Sequence, residues 1–521
     1  MDVVLIIPSA PEWIGAESTR AGEHLGTAYL GAMLLKHGIE CKIVDTRLPD
    51  FNLSRLISEI NENDVQIVGI TDVEVTHSTT SVLTKHIRRY CPDVRIVLGG
   101  YYPTFCYQEI LRENDSIDFI VRGEGEFTFL ELCQRLLNNQ EVENVRGISF
   151  YDHNQEKVIE APSRELVDEL DQLPFPRRDH LSEYLRLRCQ NAPSILSSRG
   201  CFGNCSFCSS NAFYKLFSGK KWRGRSAGNF VDELCKVSKD FDISYFRFWD
   251  DNFIGGIPRC RQRAYEIADE IQKRCPDIQF TIMCRANDID RELFAQLKKA
   301  GLKIVFLGIE AMNESSLKVF NKGLTREQNW QAMKTLMDLE IRCEPGFIMF
   351  EIASTLDGIR QNLEFFKEYL KETKSKGIHF SHNLLYGILE VYRGTSLEKK
   401  LHARSLLQRN PSGIYQSYRF LNPKVAFLAE LVTSKLAPKT KMIDEEIRTV
   451  SAKLNGHVAR VKELQVMKYD LNQFAIQSFG ELIDMVEQGN ISNEQMSEFD
   501  EKLHQKICEH RSYLKNIKID L

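Results

Sequence analysis

Three cysteines within eight residues, Cys201, Cys205 and Cys208, are the most chemically specific feature of the sequence. Thiolates are the ligands that iron–sulfur clusters select. Three of them can bind three irons of a four-iron cubane, which leaves one iron open, and Gly200 and Gly203 allow the tight loop that this requires. No fourth cysteine or histidine stands nearby at the spacing of a structural zinc site. We therefore favour a 4Fe–4S cluster, with zinc as the alternative.

The remaining eleven of the fourteen cysteines lack such spacing and are interpreted as small buried hydrophobic residues. They are Cys41, Cys91, Cys106, Cys133, Cys189, Cys235, Cys260, Cys275, Cys284, Cys343 and Cys508. This density is too low for a disulfide scaffold.

The composition indicates a globular protein with more than one domain. At 521 residues the chain is too long for one ordinary hydrophobic core. Its shares of hydrophobic (43%) and charged (27%) residues are typical of globular proteins. A net charge of −4 does not indicate wholesale binding of nucleic acid. No apolar run is long enough to span a membrane, and the acidic start, whose apolar run stops at Pro8, is unlike a signal peptide. We expect a cytoplasmic protein.

Short apolar runs alternate with amphipathic segments in residues 1–145. The predicted strands are 3–7, 42–44, 67–70, 95–98 and 119–121, and the predicted helices are 25–37, 52–60, 78–90 and 127–137. This alternation predicts a doubly wound parallel sheet, Rossmann-like and specifically flavodoxin-like. Ligands of such sheets bind beyond the carboxyl ends of the strands. No GxGxxG follows the first strand, so a dinucleotide is not expected.

The rest of the chain is divided into three further parts. Residues 146–190 are predicted to be a linker with a short hairpin (147–150 and 157–160), followed by a connector that contains Pro174 and Pro176. Residues 191–396 carry six predicted strands, 194–197, 245–249, 279–283, 303–307, 346–350 and 379–385, which indicate a partial (β/α)6 barrel, open on one side. Residues 397–521 are predicted to be helical, with helices such as 424–435, 443–454 and 493–516.

The CxxxCxxC pattern, with Phe207 before the third cysteine, resembles that of the radical S-adenosylmethionine superfamily, and the resemblance spans all six β/α units. It implies that the open iron chelates the amino and carboxylate groups of S-adenosylmethionine. Reductive cleavage of this cofactor would then give a 5′-deoxyadenosyl radical that abstracts hydrogen from an unactivated carbon. The implied contacts of S-adenosylmethionine are Phe207, Asp250, Asn252, Arg285, Gly308, Glu310 and Phe347.

Roles within this set also come from the resemblance. Asp250 is expected to accept from the cofactor's ammonium group, Arg285 to pair with its carboxylate, and Glu310 to support the ribose. The backbone around Phe347 is expected to run alongside the adenine ring of the cofactor. Taken alone, such residues are ordinary loop charges or helix-start carboxylates. Their position at successive strand ends, behind the cysteine loop, favours a cofactor site.

The first domain resembles the cobalamin-binding domain found at the head of many radical S-adenosylmethionine enzymes. The implied cobalamin contacts are Ser9, Asp45, Thr71, Val73, Val75, Gly99, Gly100, Tyr101, Gly123, Glu124, Gly125 and Glu126. The chain departs from the broader cobalamin pattern because it has no DxHxxG, and Thr46 and Arg47 follow Asp45. We therefore predict that no protein histidine ligates cobalt from below. His77, after the third strand, is the residue to test, and an ordinary loop or helix-cap role is its alternative.

Together the two resemblances imply a cobalamin-dependent radical S-adenosylmethionine enzyme. The commonest chemistry of the family is methylation of an unactivated carbon through a 5′-deoxyadenosyl radical and methylcobalamin, here on a peptide or natural-product substrate. An electron donor such as flavodoxin or ferredoxin is also implied. Two alternatives remain: cyclisation or rearrangement without methyl transfer, and a first domain that is a cobalamin-free carrier- or peptide-binding module. In the helical tail, Tyr415, Tyr418 and Phe420 either line the open barrel side or belong to a core.

Overall fold

The first part of the chain forms a seven-stranded sheet in the computed structural model, which describes residues 1–11, 22–187, 192–374, 380–408, 417–453, 458–489 and 491–519. Its strands are β1 (Val3–Ile7), β2 (Cys41–Asp45), β3 (Ile67–Thr71), β4 (Arg95–Gly99), β5 (Phe119–Val121), β6 (Ile148–Asp152) and β7 (Lys157–Glu160). They lie in the order β2-β1-β3-β4-β5-β6-β7, and the first five pair in parallel. This order confirms the expected flavodoxin-like fold.

Five helices cover the two faces of this sheet. They are α1 (Leu25–Lys36), α2 (Leu53–Glu62), α3 (His77–Tyr90), α4 (Tyr101–Glu113) and α5 (Gly125–Leu137). The helices α1 and α5 pack on one face, and the other three pack on the opposite face. The sequence did not predict α4, because Gly100 and Pro103 are typical of a loop. Pro103 is tolerated since it lies in the first helical turn, where an amide has no helical partner.

The hairpin formed by β6 and β7 belongs to the first sheet. From the sequence it was expected in a linker, but Ile148 and Ser149 of β6 pair antiparallel with Val121 and Ile120 of β5. Strand β6 thus covers what would otherwise be an unpaired edge of the parallel sheet.

A second sheet carries the cysteine loop. The strands in this part of the chain are β8 (Ser194–Ile195), β9 (Ser198–Arg199), β10 (Arg223–Gly224), β11 (Tyr245–Phe248), β12 (Gln279–Arg285), β13 (Leu302–Glu310) and β14 (Arg342–Phe347). Five of them form a parallel sheet in the order β14-β13-β12-β11-β8, and β9 pairs antiparallel with β10. The helices are α6 (Leu181–Arg186), α7 (Ser209–Tyr214), α8 (Ala227–Phe241), α9 (Pro258–Arg274), α10 (Arg291–Lys299), α11 (Glu314–Val319), α12 (Arg326–Asp338) and α13 (Leu356–Thr373).

The sixth predicted strand, 379–385, does not form among the described residues. A 3₁₀ helix occupies His382–Leu385, and residue 379 lies outside the described residues. One parallel bridge between Phe350 and Ile388 stands where a sixth strand would pair. The apolar run is short and is interrupted by polar residues at 381–383, so Phe380 and Leu385 are buried without a strand ladder.

The tail packs its helices onto the second sheet. Its elements are α14 (Ser396–Ala403), β15 (Leu407–Gln408), β16 (Ser417–Tyr418), α15 (Pro423–Leu431), a π-helical turn (Val432–Leu436), α16 (Ala437–Lys453), α17 (Val458–Gln488) and α18 (Asn493–Ile519). Phe479 of α17 stacks on Phe350, with ring centroids 5.8 Å apart. Tyr418 is buried beside Phe420, which supports the core interpretation, and Tyr415 lies outside the described residues. None of the described helices is long and apolar enough to cross a membrane.

An arginine of the connector joins the first sheet to the second. Arg178 donates to Glu23 (2.5 Å) and to Glu233 of α8 (2.6 Å), and all three side chains are buried. Removing one partner of a buried ion pair typically costs about 3–5 kcal/mol, because the other charge is left uncompensated. This contact therefore fixes the orientation of the two sheets around the space between them.

Candidate active site

A cavity of about 870 Å³ lies between the carboxyl ends of the first sheet and the second sheet. One wall is formed by the segment before α1 and by the residues that follow β3, β4 and β5. The other wall comes from β9, the start of α7, and β11 with the residues just after it. In doubly wound sheets ligands bind where the strand order reverses, which here is between β1 and β3. Position and size, within the roughly 300–1,000 Å³ usual for ligand cavities, make this the candidate site.

A slot leads from this cavity down along the first sheet. It is lined by Leu5, Gly69 and Val97, which lie inside β1, β3 and β4, and by Phe129 of α5. A Cβ on Gly69 would lie 2.8 Å from Leu5 and 2.9 Å from Phe129, so a larger residue would displace both side chains. Because these four residues line the cavity, it extends between the sheet and α5.

Nine of the twelve predicted cobalamin contacts line this cavity. They are Thr71, Val73, Gly99, Gly100, Tyr101, Gly123, Glu124, Gly125 and Glu126. Ser9, Asp45 and Val75 are not among its described lining residues.

These three residues have other contacts. The amide of Ser9 donates to the hydroxyl of Thr46 (2.7 Å), and Val75 lines a smaller neighbouring cavity of about 270 Å³. The Asp45 carboxylate is buried and accepts from Arg47 (2.8 Å) and from the hydroxyl of Tyr184 (2.7 Å). Since Arg47 itself lines the cavity, Asp45 acts by positioning the wall.

Glu124 and Glu126 are held by arginines of the second sheet. Arg199 donates to Glu124 (3.1 Å) and to Glu126 (2.6 Å), and Arg223 donates to Glu124 (2.7 Å). Although burial alone would raise it, Arg199 and Arg223 hold the pKa of Glu124 below its ordinary value. Arg199 directly precedes Gly200, so this network ties the loop after β5 to the start of the cysteine loop. From the sequence, the two carboxylates were expected to contact a cofactor.

His24 is a cavity residue that the sequence did not reveal. Its Nδ1 accepts from the amide of Thr27 (3.1 Å) and contacts the Thr27 hydroxyl (2.8 Å), which caps α1. Burial and the nearby Arg47 lower the pKa of His24 to about 4, so the ring is neutral at pH 7. A neutral ring that accepts at Nδ1 carries its proton on Nε2, which lies 3.4 Å from the hydroxyl of Thr71.

His77 lies outside the described lining of the cavity. It is the first residue of α3, and its Nδ1 contacts the buried carboxylate of Asp72 at 2.8 Å. Its ring packs against Tyr102, with centroids 4.6 Å apart. These contacts support the ordinary role at a helix start.

The cysteine loop depends on both of its glycines. Gly200 has a φ of +85°, and a Cβ there would lie 1.7 Å from the carbonyl oxygen of Lys221. A Cβ on Gly203 would lie 2.5 Å from Nη1 of Arg285. The Gly203 amide donates to Sγ of Cys201 (3.2 Å), so the backbone turns toward the thiol. A larger residue at Gly200 would therefore break the loop, and one at Gly203 would push aside the end of the Arg285 side chain.

Two polar side chains reach the thiols of this loop. Arg285 Nη1 donates to Sγ of Cys205 (3.3 Å), and Asn252 Nδ2 lies 3.9 Å from Sγ of Cys201. Burial raises the pKa of Cys208 to about 11, so iron binding must displace its proton. Among the residues that the structure describes, no three His, Cys, Asp or Glu side chains are gathered around one ion position. A cubane does not need such a grouping, because each thiolate binds a different iron.

Asp251, rather than Asp250, faces the cavity. Asp250 is 0% exposed and accepts from the hydroxyls of Ser197 (2.9 Å) and Ser198 (2.6 Å). Burial raises the pKa of Asp250, and its second oxygen has no hydrogen-bond partner. Asp251 lines the cavity and accepts from the amide of Gly200 (3.1 Å). The structure therefore moves the expected ammonium acceptor by one residue.

The other expected S-adenosylmethionine contacts lie at or near the carboxyl ends of β13 and β14, apart from Phe207 in the cysteine loop. Glu310, with a φ of +63°, accepts from Nζ of Lys322 (2.8 Å). A Cβ on Gly308 would lie 2.9 Å from both members of this pair, so a side chain there would displace them. The Phe347 ring packs in the core against Phe365, which leaves only its backbone for a ligand. Phe207 packs edge-on against Phe320.

The walls fit the groups that the sequence implied. Three thiols stand on a tight loop whose turn at Gly200 only glycine can form, which suits a cluster site. The cavity beside it is lined by glycine backbone and apolar side chains, and a slot extends from it. Most of its charged side chains are already paired within the protein. A large ligand with a neutral, amide-bearing rim, such as a corrin, suits this lining.

Two family descriptions match the chain. The family described as "B12 binding domain" matches residues 12–133, and the family described as "Radical SAM superfamily" matches residues 195–366. The first match covers β2 to β5 of the first sheet, and the second covers the cysteine loop and β9 to β14.

Individual proteins match over both regions. The chain is 30% identical over 370 residues to "Uncharacterized methyltransferase PH0819" of Pyrococcus horikoshii, covering 71% of this chain and 78% of that protein. It is 28% identical over 319 residues to "Anaerobic magnesium-protoporphyrin IX monomethyl ester cyclase" of Synechocystis sp., covering 60% of this chain and 61% of that protein. Its fold matches the cobalamin-dependent S-adenosylmethionine radical enzyme OxsB with aqua-cobalamin bound, with a TM-score of 0.80, 19% identity, and coverage of 100% of this chain and 81% of that chain.

Proposed function

The chain belongs to the family of cobalamin-binding radical S-adenosylmethionine enzymes, and on this premise we propose that it methylates an unactivated carbon of a peptide or natural-product substrate. The single observation that carries the proposal is the shared cavity. It places the carboxyl ends of the first sheet opposite the residues that flank the cysteine loop, so groups bound by the two domains face one shared space. Two reactants held in such a space react as if at high local concentration.

The chain's own residues have distinct roles in this proposal. Cys201, Cys205 and Cys208 hold the cluster, Asp251 accepts from the amine of S-adenosylmethionine, and Arg285 pairs with its carboxylate. When bound, the cluster with S-adenosylmethionine supplies a 5′-deoxyadenosyl radical, and cobalamin supplies the methyl group. Glu310 is oriented by Lys322 to accept from the ribose.

The network around Arg199 has a positioning role. Because Arg199 bonds Glu124 and Glu126 and stands two residues before Cys201, it sets the distance between the corrin side and the cluster side of the cavity. The Arg199 guanidinium also lies 5.2 Å from the ring centroid of Tyr29, another cavity residue.

A second function, cyclisation or rearrangement without methyl transfer, is favoured by one observation: the relative from Synechocystis is named as a cyclase. The relative from Pyrococcus horikoshii, which aligns over more of the chain, is named as a methyltransferase. A cobalamin-free binding module is not retained as an alternative, because the first domain matches the B12-binding family. An electron donor such as flavodoxin or ferredoxin completes the proposal, since cleavage of the sulfonium requires one electron.

Product mass tests methyl transfer against cyclisation. We expect reconstituted enzyme, incubated without oxygen with a small-molecule extract, a reductant and S-adenosylmethionine labelled in its methyl group, to yield a product that has gained one labelled methyl. The physical reason is that transfer adds a carbon, whereas cyclisation or rearrangement does not. Mass spectrometry of the extract measures this, with the Cys201→Ala variant as the control. A new product of unchanged carbon count would reject methylation and favour the second function.

The lower face of cobalt provides a further prediction. We expect the electron paramagnetic resonance spectrum of bound cob(II)alamin to show no nitrogen splitting of the cobalt lines, with the dimethylbenzimidazole tail displaced into the slot. In the tautomer of His24 that accepts at Nδ1, Nε2 carries a proton and has no lone pair for cobalt, and His77 lies outside the described lining of the cavity. His24→Ala and His77→Ala are the paired variants. Triplets that vanish in either variant would make that histidine a cobalt ligand, and triplets that persist in both would indicate a bound tail.

A further inference from the structure

Two residues at the end of β11, Arg247 and Trp249, face the cavity from the second sheet. Burial alternates here: Phe246 and Phe248 are 0% and 1% exposed in the core, whereas Arg247 is half-buried and Trp249 is 54% exposed. This is the pattern of a strand with one face in the core and one face open. The proposed function assigns no role to either side chain.

An uncovered apolar surface continues from Trp249 across the sheet. Arg247 pairs in register with Thr281 of β12, and Met283, two residues further along that strand, also lines the cavity. Met283 in turn pairs with Phe306 of β13, which is 43% exposed. Large apolar side chains that stay uncovered inside a cleft mark a place where a ligand binds.

Arg247 differs from the other cations that line the cavity. Arg47 is paired with Asp45, and Arg199 is paired with Glu124 and Glu126. Within the described part of the chain, Arg247 forms no ion pair, and its guanidinium lies over the Trp249 ring at 5.9 Å from the centroid. A half-buried charge without a partner is costly to the fold, and an anion would offset that cost.

We propose that Arg247 and Trp249 form the substrate subsite, in which Arg247 binds a carboxylate or phosphate of the substrate and Trp249 packs against the apolar or planar group beside it. This inference rests on the proposed function and narrows its substrate to an anion with an apolar neighbour. Arginine suits the task because its planar fork donates two parallel hydrogen bonds to either oxyanion.

Arg247 lies apart from the positions proposed for the cofactors, whereas Trp249 lies two residues before Asp251, the acceptor proposed for the amine of S-adenosylmethionine. Arg285, the partner proposed for the S-adenosylmethionine carboxylate, lies on β12 four residues beyond Thr281, the register partner of Arg247. At about 3.3 Å per residue, that separation is about 13 Å along the sheet. The slot, which suits the cobalamin tail, opens on the opposite wall. A substrate between the two walls would be held at Arg247 and would present its carbon toward the cysteine loop.

The test uses small probes with the full chain, reconstituted with its cluster and cobalamin. Phenyl phosphate and phenylacetate combine an anion with a planar group, and benzyl alcohol is their neutral counterpart. We expect calorimetry to show binding of at least one anionic probe and weaker or no binding of benzyl alcohol. Arg247→Met should lower the affinity for the anionic probe about tenfold to a hundredfold, which is the usual loss when a hydrogen bond to a charged group is removed. Arg247→Lys should recover part of the affinity.

The matched control is Arg291→Met, since Arg291 pairs with Asp338 on the outer helices α10 and α12, away from the cavity. It should bind the probes like the parent. Trp249→Ala should weaken the binding of phenyl phosphate and leave the binding of inorganic phosphate unchanged. A general structural disturbance would weaken both. Comparison of phenyl phosphate with phenylacetate tells which oxyanion Arg247 prefers.

Three results would overturn the inference. The first is that neither anionic probe binds to the parent, and the second is that the parent and Arg247→Met bind the probes equally. The third is that Arg247→Met loses only the binding of cobalamin or of S-adenosylmethionine. The last result would place Arg247 in a cofactor site. None of these decides the proposed function, which fails instead if the parent binds no cobalamin or transfers no labelled methyl. The two failures are therefore distinguishable in one set of preparations.

Discussion

Replacement of Cys201, Cys205 and Cys208 together by alanine is expected to remove all cluster iron and all cleavage of S-adenosylmethionine. The three thiols are the only cysteines at ligand spacing in the sequence, and they stand on one glycine-dependent loop. Without thiolates no ligand in that loop can hold iron. Iron analysis and the brown absorption should fall from about four irons per chain to the background. Formation of 5′-deoxyadenosine, measured by chromatography, should fall to zero.

Alanine at Cys235 or at Cys508 is the matched control, because both lie on helices away from the loop. Iron content should be unchanged in either variant. A triple variant that still carried about four irons per chain would refute the cluster assignment. Cobalamin content should survive in the triple variant, since the slot and the glycine loops belong to the other domain, and its loss would indicate general misfolding.

Gly99→Val is expected to abolish most cobalamin binding while leaving the cluster intact. Gly99 ends β4 and lines the cavity on the same face of the sheet as Val97, a residue of the slot. A Cβ on Gly99 would have only Val121 nearby, with the carbonyl oxygen of that residue 3.7 Å away, so the protein has room for the start of a valine side chain. The added methyl groups must then occupy ligand space, and such overpacking costs about 1–3 kcal/mol. Affinity should fall about tenfold to a hundredfold, measured by absorption titration with hydroxocobalamin.

Gly99 is a sharper test than Gly100 or Gly123. A Cβ on Gly100 would lie 2.5 Å from the carbonyl oxygen of Asp72, and one on Gly123 would lie 2.8 Å from the Phe217 ring. Valine at Gly100 or Gly123 is also expected to lower cobalamin binding, but part of that loss would come from a distorted loop. Gly228→Val is the control, because a Cβ on that residue of α8 meets nothing within 4 Å. Unchanged cobalamin affinity in Gly99→Val would mean that the ligand does not occupy this cavity.

Much of the fold could be predicted from the sequence because its signals are local. Strands such as Val3–Ile7 and Phe119–Val121 were predicted with the bounds that the structure has, since short buried apolar runs between helices identify parallel strands. The failures came where a local signal misleads. Gly100 and Pro103 are typical of a loop, so the sequence does not predict α4. The apolar residues around 380–385 pack in the core without forming a sixth strand.

The sequence by itself determined the cysteine loop, because three thiols within eight residues and their two glycines act over a few residues of backbone. It also predicted a ligand site at the carboxyl ends of the first sheet, since parallel strands bring these ends together, and the cavity lies there. Both conclusions need only chain order and spacing. For the same reason, the types of the two domains and their order along the chain follow from the sequence alone.

Only the tertiary structure decided which side chains reach the shared space. A shift of one residue in an extended segment turns a side chain to the other face, so Asp251 and not Asp250 lines the cavity. Contacts between residues far apart in the chain are invisible in the sequence. Such contacts make Glu124 an ion-pair partner of Arg199, whereas Arg247 has no ion-pair partner among the residues that the structure describes. They also brought Sγ of Cys235 to within 2.8 Å of Sγ of Cys275, 40 residues away. Packing between the sheets, not local pattern, sets these distances.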